Sequence, residues 1–432
     1  MRLLTPAIFA IAAVSLSACD QGHPPPQSNF GPHPVLPPPA PQTFPTIRAN
    51  SVEPWPAGAA PVAPAGFTVT RFAEGLHHPR WLYVLPNGDV LVAEGAPKPV
   101  PVTSLETAVE HYLDSTVGAT PPSANDIVLL RDTNGSGKPG LRSVFLKDLD
   151  QPYGMLLLNG YFYVGNTSGV WRYRYQDGET SISGPPEKLL DLPTGHHWTR
   201  NLLASEDGRK IYVSVGSDTN IAEKGLDVEK RRADILEINP DGTDERVFAS
   251  GLRNPNGMAW QRETHALWTV VNERDMLGDD LVPDYLTHVQ DGGFYGWPWA
   301  YWGRHVDARV TPPRPDMVAK TIAPDYALGS HVAPLGLAFY TASGFPAHFH
   351  GGAFIGEHGS WNRTPMVGYK VVYVPFAGGQ PSGLPEDFLT GFRESPGSSV
   401  AYGRPAGVAV DNSGALLVAD DVGNIVWRVS AQ

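Results

Sequence analysis

His197, within TGHHWTRNL (194–202), is an imidazole with an ordinary pKa of about 6.5, which suits a general base near neutral pH. Its neighbour His196 points to the opposite side of an extended strand, so the two do not form a metal clamp, and no H-E-x-x-H stretch exists. Arg253-Asn254, Arg404 and Arg363 form a second group. Guanidinium groups pair bidentately with carboxylates and phosphates, so several of them around one mouth imply an anionic ligand. The loop NERDMLGDD (272–280) is rich in oxygen donors, and its spacing is equally consistent with a Ca²⁺ site and a solvated loop. DTNGSG (132–137) begins like a calcium loop but lacks the glutamate of an EF-hand, and reads as a hairpin turn. The aromatic run GGFYGWPWAYW (292–302) is a candidate stacking platform, although packing is the simpler reading. No glycine-rich loop leads into a helix, which argues against a nicotinamide or ATP cofactor.

These residues need a scaffold that brings them together, and a repeat supplies it. The frame of GLRNPNGM (251–258) has a glycine or apolar approach, a polar cluster, a proline and a small-then-apolar exit. It recurs at GLHHPRWL (75–82), LDQPYGML (149–156), TGHHWTRNL, HVAPLGLA (331–338) and YGRPAGVA (402–409). The polar content changes from copy to copy: His77 and His78, Gln151, His196 and His197, Arg253 and Asn254, His331, Arg404. Each copy leads into a set of period-2 strands, the sets opening near Trp81, Tyr153, Asn201, Gly257, Gly336 and Gly407. Five sets hold four strands, the fourth with its outermost strand near Thr321–Leu328, and the last holds three. Phe67–Ala73 (FTVTRFA) has no partner of its own and supplies the missing outer strand, closing a ring. The expected fold is all-β, a six-bladed propeller of four-stranded antiparallel blades spanning 67–432. In blades whose strands run A–B–C–D from the axis outward, the D-to-A and B-to-C connections share one face. Every copy of the frame is a D-to-A connection, so the polar residues ring the axis at one mouth, where ligand sites form.

The chain has 432 residues, with 46 glycines, 43 prolines and a net charge of −12. The acidic balance and the lack of Lys/Arg runs exclude a nucleic-acid partner. Met1-Arg2, the apolar run Leu3–Val14 and Leu16-Ser17-Ala18-Cys19 make residues 1–19 a signal segment, too short to span a bilayer stably. Cys19, the single cysteine, closes a segment that resembles the bacterial lipoprotein signal. That resemblance implies lipid anchoring on the periplasmic side, with Asp20 the residue associated with retention at the inner membrane. One cysteine leaves no structural disulfide, Cys-based zinc site or C-x-x-C-H haem attachment. Residues 20–66 carry fourteen prolines and read as a disordered tether that could reach roughly 140 Å if fully extended.

The combination of GLRNPNGM, NERDMLGDDLVPDYL (272–286), DGGFYGWP (291–298), EHGSWNR (357–363) with GYKVV (368–372), and RPAGVAV (404–410) resembles the soluble sugar dehydrogenases of the glucose/sorbosone group, the sorbosone-like branch above all. These enzymes use pyrroloquinoline quinone (PQQ). The resemblance implies PQQ over the axis, held by arginines and bridged by Ca²⁺ to loop carbonyls, and an external electron acceptor such as a quinone or cytochrome. It gives His197 the role of base, Arg253 and Asn254 a place beside the quinone, and Arg404 a place facing its carboxylates. Gln151 is matched to a glutamine near the base, Arg363 to a PQQ-binding lysine (with Asn362 and Lys370 as alternatives), and Asp275 and Met276 to the Ca²⁺ carbonyls. The glucose enzymes' Gly-Pro pair at those carbonyls is missing, and His196 stands where they have an acid. The implied substrate is a sugar, a sugar-derived aldehyde or another alcohol. A lactonase-like propeller hydrolase and a non-enzymatic binding propeller are the alternatives.

Overall fold

The computed structural model describes residues 25–43, 46–48, 50–98 and 121–432; the signal segment with Cys19 and most of the loop at 95–125 lie outside them. Six blades circle an axis. Blade 1 is Pro79–Val84, Val90–Glu94, Asp126–Arg131 and Leu141–Leu146, and blade 2 is Gly154–Leu158, Tyr161–Asn166, Gly169–Arg174 and Glu187–Asp191. Blade 3 is Leu202–Ala204, Ile211–Val215, Asp234–Ile238 and Arg246–Ser250, extended by the short parallel strand Gly293–Phe294. Blade 4 is Asn254–Gln261, Ala266–Asn272, Pro283–His288 and Tyr326–Ser330, and blade 5 is Pro334–Phe339, Ala353–Glu357, Lys370–Val374 and Glu386–Leu389. Blade 6 is Pro405–Val410, Leu416–Asp420 and Ile425–Ala431, closed by Phe67–Ala73. That closing strand pairs antiparallel with Ile425–Ala431 from Phe67↔Ala431 to Ala73↔Val426, as the ring-closure argument requires. The fourth blade's outer strand falls slightly later than expected because an insertion with its own hairpin, Ala300–Tyr301 and His305–Val306, precedes it.

Alternation along each strand sends apolar side chains to both blade faces, so the core is a series of layers between blades. Trp81, Phe145, Tyr153, Phe162 and Trp198 fill one such layer, and Phe354, Tyr373, Phe388, Leu416 and Trp427 fill another. Near the axis the blades converge, and the frame's glycine answers that crowding. A Cβ on Gly257 would stand 2.7 Å from Leu335 O and 2.7 Å from Leu337 N on the next inner strand. Gly154 meets Arg200 O and Leu202 N, Gly336 meets Ala406 O and Val408 N, and Gly407 meets Arg80 O and Trp81 Cα in the same way. Gly257 lies inside a strand, so the repeated glycine is there for close backbone approach, not for a turn. Gly257→Ala is therefore expected to destabilise the fold by about 1–3 kcal/mol through overpacking against rigid backbone, read as a lower urea midpoint at unchanged slope.

The polar crossings are held by a second recurring contact. His77 N–H donates to Glu94 Oε1 (2.9 Å), Asp150 N–H to Asn166 Oδ1 (3.2 Å), His196 N–H to Asp218 Oδ1 (3.0 Å) and Arg404 N–H to Asp420 Oδ1 (2.8 Å). In each case an oxygen at the end of a blade's B strand, or just past it for Asp218, fixes the backbone of the D-to-A crossing that enters the blade. The crossing's side chains are thus positioned before any ligand arrives.

The Pro-rich stretch corrects an expectation. Its described part lies against the propeller as a strap and is not a free tether. Gly31 bridges Ala327, Ala40 N–H donates to Leu277 O (2.9 Å) and Gln42 N–H to Met276 O (3.1 Å). Arg48 N–H donates to Trp361 O (2.7 Å), Ser51–Val52 pairs in parallel with Val400–Ala401, and Val62 bridges Thr390. Trp55 inserts among Phe392, Tyr402 and Trp427 and donates Nε1–H to Asp420 Oδ2 (2.8 Å). Proline-rich chain forms no core of its own, but its extended conformation costs little entropy to dock along an existing surface.

Candidate active site

His197 stands half-buried at the axis. Its Nδ1 lies 2.6 Å from Ser217 O, an acceptor, so Nδ1 carries the proton and Nε2 keeps its lone pair. Burial, then the charges of Arg253 and His196, hold this imidazole well below its ordinary pKa and keep it neutral. Asn254, on the next blade's crossing, is buried, and its Oδ1 has no hydrogen-bond partner among the described residues. Gly216 makes room for both: a Cβ there would meet Asn254 Oδ1 and come within 2.6 Å of His197 Cβ. A base with a free lone pair beside an orphaned amide oxygen is a polar recess without an internal partner.

Arg253 lies in this recess too, but its guanidinium is turned into the loops. It donates to Glu273 O (2.6 Å), to Asn220 O (3.3 Å) and Oδ1 (3.1 Å), and to Asp275 Oδ2 (3.3 Å). The same Asp275 carboxylate accepts from Asn362 Nδ2 (2.6 Å) and pairs with His331 Nδ1 at 3.4 Å. Against burial, His331, Arg253 and Asn362 draw its pKa down to about 2. Asp275 therefore joins the loops of blades 3, 4 and 5 into one wall. The calcium expectation fails at this point. The carbonyls of Asp275 and Met276 both accept from Arg309 Nη1, at 3.0 and 3.2 Å, and Asn220 Nδ2 and Gln42 N–H take further positions on them. A carbonyl has two lone pairs, and both oxygens already hold two donors, one a permanent cation anchored on Asp307 (2.7 and 2.9 Å). These two oxygens do not fit a calcium ion.

Arg363 departs from expectation as well. It is fully buried and donates to Asp279 O (2.9 Å), Asp280 Oδ1 (2.5 Å) and Pro365 O (2.8 Å), bracing its loop against blade 4's. Of the alternatives, Lys370 is paired with Asp387 of blade 5's outer strand, while Asn362 reaches the Asp275 wall. Arg404 is at the axis, donating to His358 O (2.9 Å) and Gly359 O (2.9 Å). Gln151 is buried with φ of 51° and gives Nε2–H to Ala96 O (2.8 Å), which ties it to the blade 1 loop. The aromatic run at 292–302 packs as the simpler reading holds: Tyr295, Trp297 and Tyr301 are all buried.

A second polar cluster faces the axis from blades 6, 1, 2 and 5; of its members the sequence singles out only His78, and without a role. Asp421, wholly buried, pairs with Arg80 Nη1 and accepts from His358 Nε2 (2.7 Å), with His78 Nε2 at 3.5 Å. His78 Nδ1, Tyr153 Oη and Asp421 Oδ1 find no partner among the described residues. Against burial, His358, His78 and Arg80 hold Asp421 well below the ordinary carboxyl range. Burial, then Arg404, pushes His358 down to about 3. Trp198 joins the two clusters: it follows His197, meets Tyr153 edge-on at 5.9 Å and lies 5.7 Å from the Arg80 guanidinium. The signal for these residues was available, since Arg80 is in the first copy of the frame and His358 and Asp421 open B-to-C loops on the mouth face. Together the clusters offer cations, a neutral imidazole and unpartnered polar atoms, which suits a planar, carboxylated quinone.

Glu357, at the end of blade 5's second strand, shows how burial titrates here. Burial, opposed by Lys370, raises its pKa to about 8, and Oε2 has no partner among the described residues. The folded state thus holds a proton that the unfolded chain releases near pH 4.5, so stability is full below that value and falls as pH rises toward 8. Glu357→Gln is expected to match wild type at pH 4–5 and to exceed it by an amount on the order of 1–2 kcal/mol at pH 8, by urea denaturation across that range.

Comparison with known proteins agrees with the resemblance. The family model described as Glucose / Sorbosone dehydrogenase matches residues 163–360, and one described as TrAA12-like matches 316–432. An uncharacterised protein of Borreliella burgdorferi is 31% identical over 54% of this chain and 60% of its own length. Aldose sugar dehydrogenase YliI of Escherichia coli is 28% identical over 37% of this chain and 44% of its own. The chain thus spans less than two thirds of either relative. The holo PQQ domain of pyranose dehydrogenase from Coprinopsis cinerea superposes with a TM-score of 0.70 at 20% identity, covering 87% of this chain and 98% of that domain, which establishes the shared propeller fold. The resemblance to PQQ-dependent soluble sugar dehydrogenases is borne out.

Proposed function

We propose that this chain is a PQQ-dependent dehydrogenase that oxidises a sugar, a sugar-derived aldehyde or a related alcohol, in the manner of the sorbosone-like branch. The observation that carries the reading is His197, neutral, with Nδ1 protonated toward Ser217 O so that Nε2 keeps its lone pair, packed across Gly216 from Asn254, whose Oδ1 is orphaned among the described residues. PQQ, when bound, supplies the two-electron acceptor. His197 Nε2 takes the proton of the substrate hydroxyl, and Ser217 O holds the other ring proton so that the imidazolium stays oriented. Asn254 and Arg404 would hold the cofactor, through its quinone and carboxylate oxygens, while Arg253, Asn362 and His331 hold the wall through Asp275. No calcium is assigned to Asp275 or Met276. Electrons leave to an external quinone or cytochrome. Lipid anchoring through Cys19 places the reaction on the periplasmic side.

The test is a titration of the purified apo-protein with PQQ, with and without calcium, followed by dye reduction over a panel of aldoses and alcohols. A cofactor absorbance change and dye reduction with at least one aldose are expected. Neither signal under any condition would sink the reading.

A further inference from the structure

Arg309 reaches the 272–280 loop from the insertion that precedes blade 4's outer strand, and its guanidinium is engaged at both ends. Nε and Nη2 donate to the two oxygens of Asp307 (2.9 and 2.7 Å), while Nη1 donates to Asp275 O (3.0 Å) and Met276 O (3.2 Å). Asp307 is buried and also accepts from Arg274 Nη1 (3.2 Å), so it is held in place independently of Arg309. A permanent positive charge thus stands fixed against the two carbonyls that the family resemblance gives to calcium. The rest of the loop is closed in the same way. Glu273 O accepts from Arg253 Nη1 (2.6 Å), Asp279 O from Arg363 Nε (2.9 Å) and Leu277 O from the strap's Ala40 N–H (2.9 Å). Gly278 O lies 3.0 Å from His331 Nε2. The carboxylates are answered by guanidinium groups too: Glu273 by Arg274 (3.0 Å), Asp275 by Arg253 (3.3 Å) and Asp280 by Arg363 (2.5 Å). Calcium takes about six to eight oxygen ligands and an excess of negative charge, and here both are already committed to nitrogen donors.

We infer that Arg309 is the resident cation of this wall, standing where the resemblance implies calcium, and that the chain binds PQQ without a divalent metal. The inference rests on the PQQ reading above and goes beyond it. A wall bridged by a metal ion loses its shape when the ion leaves, whereas a guanidinium is covalently attached and never deprotonates in a protein. Arg309 is a positioning residue in this account. It fixes the backbone of Asp275, on whose carboxylate Arg253, Asn362 and His331 converge. The substitution has a chemical signature. Removing the guanidinium uncovers two carbonyl oxygens and the Asp307 carboxylate around one hole, an oxygen-lined site of the kind a hard divalent cation prefers.

The test titrates the full chain with PQQ, in EGTA and in millimolar calcium, for wild type, Arg309→Lys and Arg309→Ala, following cofactor absorbance. Wild-type Kd should agree within about twofold between the two conditions. In EGTA, Arg309→Ala should bind PQQ about tenfold more weakly, the scale of a lost charged hydrogen bond, and Arg309→Lys should recover part of that loss. Calcium should restore much of the affinity of Arg309→Ala and leave wild type unchanged. Wild-type affinity that depends on calcium overturns the inference, as does an unaltered Kd in Arg309→Ala. A loss in Arg309→Ala that calcium does not restore makes the residue merely structural and overturns it equally. Should Arg309→Ala not fold, Arg309→Met, which keeps the aliphatic stem, takes its place. If PQQ binds to no variant under either condition, the dehydrogenase reading fails. Thermal melts of the apo-protein with calcium then decide the inference alone. A Tm raised by calcium in the variant only supports it, and an equal response or none in both proteins overturns it.

Discussion

His197→Ala is expected to lower kcat of the PQQ-loaded protein by about 10²- to 10⁴-fold, the range for loss of a positioned general base. PQQ binding should persist, because the arginines and Asn254 are untouched. The Nδ1–Ser217 contact sharpens the expectation. With Nδ1 bound to a carbonyl, only Nε2 can act, so His197→Gln, which keeps some hydrogen bonding but no basicity, should be nearly as inactive as His197→Ala. The imidazole is held well below its ordinary pKa, so the acid limb of the kcat–pH profile should also fall well below pH 6.5. Stopped-flow dye reduction across pH checks both. Unchanged turnover in His197→Ala would remove the residue from this role, and His358, tied to Asp421 at 2.7 Å, is the imidazole to which the geometry then points.

The largest stability effect should come from Asp421→Ala, with a loss of about 3–5 kcal/mol, as for breaking a buried ion pair from one side. Asp421 is the anion around which Arg80, His358 and His78 are packed, and its removal leaves the Arg80 guanidinium without its carboxylate partner. Folding also lowers the pKa of this carboxyl, so its contribution is full above the unfolded value near 4 and fades as pH falls below it. The gap between wild type and variant in urea should therefore be wide at pH 7 and close progressively below pH 4. A gap that did not change with pH would mean that the loss is one of packing, not charge.

The strap shows why local composition misled. Fourteen prolines in 47 residues bury no core, which is what the sequence reading relied on. Docking, however, needs only scattered backbone donors and an occasional anchor such as Trp55, and these find partners far away in sequence: Met276, Leu277, Trp361, Val400 and Asp420. Arg363 and the carbonyls of Asp275 and Met276 failed for a related reason. Residue type and loop face placed them at the mouth, but which donor meets which acceptor depends on Arg309 and on Asp279 and Asp280, which no spacing rule joins to them.

What the sequence determined by itself is the architecture and the list of side chains at one mouth. Period-2 alternation fixes which strand faces are buried, the repeated frame fixes the number of blades, and an unpaired strand ahead of the first set, with a last set one strand short, fixes the closure. Those are local or repeating properties, legible without a third dimension. Tertiary structure decided the rest. His197 and Asn254 meet because Gly216 leaves space between their crossings, and Asp421 collects Arg80 and His78 from the first blade's crossing and His358 from a blade 5 loop. Arg253, expected at the ligand, is turned into the wall. A guanidinium's partner is chosen by the few ångströms around it once the blades have closed, and that distance is set by the packing of the whole ring.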